Sequence, residues 1–206
     1  APAPPRTDDT GRFELPVRRP VGVQVRADDY RQRVRACAPG PANRLVVIEA
    51  AGSATIAFGG DTMFARRFYT DSTDRLNPRL GIDPADRRAG HDAVLAPLEP
   101  ALAAPDLTSV NLETPLTTRS LRHPEKLYAF ASHPVAAEAL AAAGVDYTAL
   151  GNNHAFDALG PGLRDTTAAL DDAGLGHSGA GTSADAAWTP HVQRAGDLDV
   201  ALLSCT

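Results

Sequence analysis

Two amides, an imidazole and a carboxylate stand together at Asn152, Asn153, His154 and Asp157, directly after the apolar run Val145 to Leu150. Beside a buried strand such groups are costly to leave unpaired, so the cluster either braces a turn or serves a ligand. Amide oxygens suit hard cations, and an imidazole can give a proton to a departing alkoxide. His154 is therefore the candidate catalytic residue, Asn153 a candidate metal ligand and Asn152 a candidate substrate contact. A second cluster is Asn111-Leu112-Glu113-Thr114-Pro115. Extended backbone sends Asn111 and Glu113 to one side and Leu112 to the other, so an amide oxygen and a carboxylate could share a cation. The same pattern also fits a polar strand exit ended by Pro115. In the third cluster Asp61 follows Gly59 and Gly60, whose missing side chains would let the backbone turn and expose the carboxylate to a metal, or let it cap a helix.

Each cluster follows a short apolar run. Strands are expected at Leu45 to Glu49, Thr55 to Phe58, Leu107 to Val110, Val145 to Leu150 and Val200 to Ser204. Between them, apolar spacing predicts a helix over Asp92 to Ala104 despite Pro97 and Pro100. Two more, Pro134 to Ala143 and Pro161 to Ala173, each open on proline and stop before Gly144 and Gly174, the asymmetry expected of helix ends. Alternating strands and helices predict an α/β architecture. Ligands of open α/β sheets bind beyond the carboxyl ends of the strands, so the three clusters are expected to converge on one sheet edge.

The domain is read as residues 44–206. Residues 1–43 carry seven prolines and little apolar periodicity and read as a linker or loosely packed arm. At 43% apolar and 22% charged residues the chain has the composition of a globular domain. Residues 1–50 hold nine Arg against six acidic residues, whereas the remainder holds eleven basic against nineteen acidic ones. An acidic body excludes a nucleic-acid partner, and the basic stretch Arg26 to Arg35 reads as a solvated face. No window approaches the ~20 consecutive apolar residues of a membrane-spanning helix. Ala1 is not an initiator and the only methionine is Met63, so processing or truncation is expected to have removed what preceded Ala1. Cys37 and Cys205 read as unrelated thiols, the latter a small apolar strand residue, with a single disulfide as the alternative. His91, His123, His133 and His191 fall in loop-like sequence without ligand spacing and read as surface or turn histidines.

From Gly60-Asp61-Thr62-Met63 with Arg66, through Asn111-Leu112-Glu113-Thr114-Pro115 and Lys126, Tyr128 and Phe130, the chain resembles the CapA, or poly-γ-glutamate capsule synthesis, family. The likeness continues through Ala143-Gly144-Val145-Asp146, Asn152-Asn153-His154 with Asp157 and Gly160, Gly162-Leu163 with Thr166, and His177-Ser178-Gly179-Ala180-Gly181. It covers about residues 53 to 206. The resemblance implies a calcineurin-like metallophosphoesterase fold, a two-sheet β-sandwich flanked by helices and incomplete at its C-terminus. It further implies a dimetal centre of Mn, Fe or Zn with Asp61 and Asn153 as ligands and Asn111 or Glu113 bridging. His154 would assist the leaving group, and Arg66 and Lys126 would meet an anionic substrate. Paired cations ~3.5–4 Å apart activate a bridging water and stabilise an in-line displacement. Met63 stands where the superfamily often has a histidine, and the later histidine turns would lie beyond Thr206. An isolated 206-residue chain is on that ground expected to be aggregation-prone and to hydrolyse only traces of phosphodiester. Two roles follow: a metal-dependent phosphoester hydrolase of capsule or envelope polymer metabolism, or a non-catalytic holder of an anionic polymer. Either would act at the cell envelope beside capsule-synthesis membrane proteins.

Overall fold

The computed structural model describes residues 51–70 and 81–206. It also describes Arg6, Asp8 and Asp9, and the backbone of four short strands between residues 21 and 50. The chain divides into two compact units, Ala1–Ser53 and Ala54–Thr206.

In the first unit β1 (Val21–Gln24) pairs antiparallel with β3 (Val34–Cys37), and β2 (Tyr30–Arg31) pairs antiparallel with β4 (Glu49–Ala50). The arm reading anticipated no strands before residue 44. The prolines of this segment bracket β1 and β3 rather than interrupt them, so both keep the N–H groups a ladder needs. β4 pairs with β2 inside the first unit. Residues 45–48 of the first expected strand, and the basic stretch apart from its strand backbone, lie outside the described residues.

The second unit is built on a four-stranded parallel sheet in the order β5 (Ile56–Thr62), β6 (Leu107–Leu112), β7 (Tyr147–Ala149) and β8 (Gly176–Ser178). The crossovers carry α1 (Arg87–Leu95), α2 (Glu99–Leu102), α3 (Val135–Ala142) and α4 (Leu159–Asp172). Val110 and Leu112 of β6 pack with Leu95, Leu140, Leu163 and Leu170 in one large core against the helices. On the opposite face Leu107 and Tyr147 meet Ala195 and Leu202. Those two residues belong to a hairpin of β9 (His191–Ala195) and β10 (Leu198–Leu202), joined through Gly196 and Asp197. A short helix, α5 (Ala184–Trp188), precedes the hairpin. A parallel sheet with helices on one face and a small second sheet on the other is the expected α/β layering.

Four local expectations are corrected. The helix over Asp92 to Ala104 is two helices, since Pro97 has no N–H to continue the ladder beyond Leu95 and Pro100 opens a new first turn. The first of them starts at Arg87, where the Asp86 carboxylate accepts the Ala89 N–H at 3.3 Å. Strand β5 runs through Gly59 and Gly60 to Thr62 rather than turning at the glycines, with a register shift between Phe58 and Asp61. His91, read as a surface or turn residue, lies in α1 and is fully buried against Phe64 and Tyr69. Cys205 follows β10 as an exposed free thiol, so it takes no part in a disulfide and does not sit in a strand.

Candidate functional site

The register of three parallel strands brings the polar clusters to one edge. Asp61 of β5 lies opposite Asn111 of β6, and Asn111 lies opposite Ala149 of β7. Side chains paired in this way share a sheet face, here the one that the β9–β10 hairpin partly covers. Leu112 points into the helix-side core, as the alternation through Asn111 and Glu113 requires. Glu113 leaves β6 with its N–H bonded to the Thr62 carbonyl at 3.0 Å and stays half-buried.

Beyond β7 the chain turns at once. The Gly151 N–H donates to Ser204 Oγ at 2.9 Å, and a Cβ at Gly151 would come within 2.6 Å of the Cys205 backbone nitrogen. Only glycine lets the segment that follows the hairpin close so tightly on this turn. The close approach fixes where Asn152, Asn153 and His154 emerge.

One hydrogen-bond chain then links the clusters. Asn111 Nδ2 donates to Asp61 Oδ1 at 2.8 Å. Asn152 Nδ2 donates to Asn111 Oδ1 and to the Leu112 carbonyl, each at 3.0 Å. Asn152 Oδ1 accepts the His154 N–H at 3.0 Å. His154 Nδ1 meets Asp157 Oδ2 at 2.7 Å. Lys126 Nζ donates to Asp157 Oδ1 at 2.5 Å and also to the Asn153 carbonyl. Of the residues expected to converge, Asp61, Asn111 and His154 are joined through Asn152, Asn153 enters the network through its carbonyl, and the Glu113 side chain is not part of it. Asn152 spends both ends of its amide inside this chain, so it positions its neighbours.

Asp157 is the residue to which the sequence reading assigned no role. Its side chain is 0% exposed and accepts from Lys126, from His154 and from the Phe130 N–H at 2.7 Å. Burial is the largest single influence on its carboxyl and pushes the pKa up; Lys126, the Phe130 N–H and His154 together outweigh it and hold the pKa below the usual carboxylate value. A carboxylate only accepts, so His154 Nδ1 carries the hydrogen and Nε2 is the nitrogen left for a ligand. A sequence signal existed in the three-residue spacing from His154 to an acid in the same turn.

Beside His154 opens a cleft of about 380 Å³ lined by Arg66, Lys126, Tyr128, Phe130, Asn153 and His154, with Leu127 at its edge. The His154 ring lies 4.5 Å from that of Phe130, and the Arg66 guanidinium sits 5.7 Å from the Tyr128 ring centre and 5.9 Å from that of Phe130. Arg66 has φ +55, a left-handed conformation that costs a non-glycine residue on the order of 1–3 kcal/mol and recurs at functional sites. Cation–aromatic contact offsets part of that cost. Asn153 is exposed and lines this cleft, as Arg66 and Lys126 do.

The oxygen donors near these strand ends are the Asp61 carboxylate, already bonded to Asn111, the half-buried Glu113 carboxylate, and the amide of Asn153 in the cleft beside His154. Among the described residues no three His, Cys, Asp or Glu side chains form a metal-holding group. By type, carboxylate and amide oxygens are donors for a hard divalent cation, and they lack the nitrogen ligands of a tight dimetal pair.

Residues 55–206, nearly three-quarters of the chain and all of the sheet and its hairpin, match the family described as bacterial capsule synthesis protein PGA_cap. The chain belongs to this family. Within the PGA_cap match lie every side chain of the network and cleft. The chain is also 34% identical to the probable polyglutamine synthesis accessory proteins of Mycobacterium tuberculosis strains CDC 1551/Oshkosh and H37Rv. The alignment covers 62% of this chain and 38% of each relative, so the chain spans less than two-fifths of their length. No helix among the described residues is long and apolar enough to cross a membrane.

Proposed function

We propose that this PGA_cap chain acts in the synthesis of a capsule or related envelope polymer, and that its site hydrolyses a phosphoester with His154 as the acid. The observation that carries the reading is the buried Asp157, which holds Nδ1 of the cleft-lining His154 and leaves Nε2 outside that bond. With His154 entering as the imidazolium, its Nδ1–H held by Asp157, water attacks phosphorus, the bond to the leaving oxygen breaks as the Nε2 proton passes to that oxygen, and the proton of the attacking water leaves to solvent, which reprotonates Nε2. Arg66 orients the anionic group, and Phe130 fixes the plane of the imidazole. Asp61, Glu113 and Asn153 are the residues that would hold a divalent cation, with Mn, Fe and Zn the metals the family resemblance implies. Such a cation, when bound, supplies charge neutralisation and a more acidic water.

A second reading, a non-catalytic holder of an anionic polymer beside membrane-bound synthesis proteins, is favoured by the mutual engagement of Asp61, Asn111 and Asn152 and by Met63 near Asp61. Calorimetric titration of the 206-residue chain with Mn²⁺, together with hydrolysis of bis(p-nitrophenyl) phosphate, separates the two. The first reading expects slow turnover that His154→Gln lowers by about 10²-fold or more while Mn²⁺ binding persists, and weaker Mn²⁺ binding in Asp61→Ala. Mn²⁺ binding with no turnover would overturn it in favour of the second, and turnover indifferent to His154 would overturn the assignment of His154 as the acid.

A further inference from the structure

The segment that leaves the β9–β10 hairpin is fastened to the end of the sheet by a set of hydroxyls that take no part in the proton transfer. Leu202 packs on Leu107 and Tyr147. Ser178, buried at the end of β8, donates its hydroxyl hydrogen to the Leu202 carbonyl at 3.2 Å. With that hydrogen committed, Ser178 Oγ accepts from the Tyr147 hydroxyl at 2.5 Å and from the Ser204 N–H at 3.1 Å. Ser204 Oγ in turn accepts the Gly151 N–H at 2.9 Å. A Cβ on Gly179 would come within 2.5 Å of the Gly151 nitrogen and 2.7 Å of the Ser204 carbonyl oxygen, so Ser204 and the turns after β7 and β8 meet with no room for a side chain.

We propose that Ser204 is a positioning residue of the site: its hydroxyl, set by Ser178 and Tyr147, holds the Gly151 N–H and thereby fixes the turn that carries Asn152 and His154. The inference rests on the reading of His154 as the acid. Gly151 adjoins Asn152, whose amide bonds Asn111, the Leu112 carbonyl and the His154 N–H. Other backbone bonds of this stretch, from the Asn152 N–H to the Leu150 carbonyl and from the Asp157 N–H to the His154 carbonyl, tie the turn to itself. The Ser204 bond ties it to a segment fifty-three residues further along the chain, which reaches Gly151 only when the hairpin is docked. A change of angle at Gly151 passes directly to Asn152 and from there to His154. An acid must lie within hydrogen-bond reach of the leaving oxygen, so a small displacement of this turn lowers the rate of proton transfer. Substrate binding should change little, because Lys126, Tyr128 and Phe130 of the cleft lie on another segment.

The test combines hydrolysis of bis(p-nitrophenyl) phosphate by the 206-residue chain in Mn²⁺ with ¹H–¹⁵N spectra of the Asn152 side-chain amide and the His154 N–H. Ser204→Ala removes the acceptor for Gly151 and is expected to lower kcat about 3- to 10-fold at unchanged KM and to shift both signals. Ser204→Thr keeps a hydroxyl and should restore kcat and the signals. Ser183→Ala removes a bond of the same kind, to the Ala186 N–H at the start of α5, and should leave both readouts as in the wild type. Ser204 is half-buried, so Ser204→Ala opens no large cavity. Tyr147→Phe loosens Ser178 alone and should move the same signals by less. Wild-type kcat in Ser204→Ala, or an equal loss in Ser183→Ala, would overturn the inference and leave His154 standing as the acid. No turnover by the wild-type chain would overturn the reading of His154 instead, and the spectra then decide the inference: shifted signals in Ser204→Ala and Tyr147→Phe support it, and unmoved signals in both overturn it.

Discussion

Replacing Asp157 by Asn removes one charge from the middle of the site at almost constant volume. The carboxylate is 0% exposed and accepts from three donors, two of them on cationic or ionisable side chains. The amide keeps an acceptor for the Phe130 N–H but cannot serve Lys126 and His154 together. Hydrogen bonds to charged groups contribute about 1.5–3 kcal/mol each, and breaking a buried pair by removing one partner costs about 3–5 kcal/mol. Lys126 is 26% exposed and regains some water, which lowers the expectation to about 2–4 kcal/mol at pH 7. The sign with pH follows from the depressed carboxyl. A group whose folded pKa lies below its unfolded value of about 3.9 stabilises fully above that value and loses its contribution as pH falls through the folded one. Urea unfolding followed by circular dichroism should therefore show a gap between wild type and Asp157→Asn that is constant from pH 7 to about 5 and narrows below about 4. With Lys126→Met the losses should be non-additive by about 1–3 kcal/mol. A loss below about 0.5 kcal/mol at pH 7, or a gap that stays the same at low pH, would refute the account of Asp157 as the charged centre of this network.

Two further outcomes test the scaffold. His91 is fully buried, its Nδ1 bonds the Arg87 carbonyl at 2.6 Å, and its Nε2 has no partner among the described residues. Burial chiefly depresses its pKa; the Arg87 carbonyl and Asp92 pull it up, while His133 and Arg87 push it down. The unfolded chain then binds more protons below about pH 6.5, so stability should fall between pH 7 and 5 and fall less in His91→Phe; equal slopes in thermal melts would contradict this. Gly144 ends α3 at φ +96, and a Cβ there would come within 2.6 Å of the Ala103 Cα. Gly144→Ala should cost more than about 1 kcal/mol in urea unfolding, and a neutral result would contradict the close approach of that turn to α2.

The strands and helices nearest the site were the most legible parts of the sequence. Pro and Gly at opposite ends marked α3 and α4, and short β-prone stretches such as Leu107-Thr108-Ser109-Val110 stood out between the helices. The β9–β10 hairpin was half seen. Val200 to Leu202 is apolar, but His191-Val-Gln-Arg-Ala has too weak an alternation to announce β9, which exists because Ala195 finds Leu107 and Tyr147 across the sheet. His91 went unplaced for a related reason: its neighbours Phe64 and Tyr69 lie more than twenty residues away in sequence.

By itself the sequence determined the α/β alternation and the polar groups at three strand ends, and hence that Asp61, Asn111 and His154 meet at one sheet edge, because each depends on residue types within a few positions of one another. Which of those groups bond one another was settled only in three dimensions. The pairing of Asp61 with Asn111 needs the parallel register of β5 and β6, and the register shift after Phe58 sets it. The burial of Asp157 needs the 123–130 segment laid over the turn, so that Lys126 and the Phe130 N–H reach it. Lys126, read from sequence as a substrate cation, thus became the partner of a buried carboxylate, since charge pairing between residues thirty-one apart is a property of the packed chain.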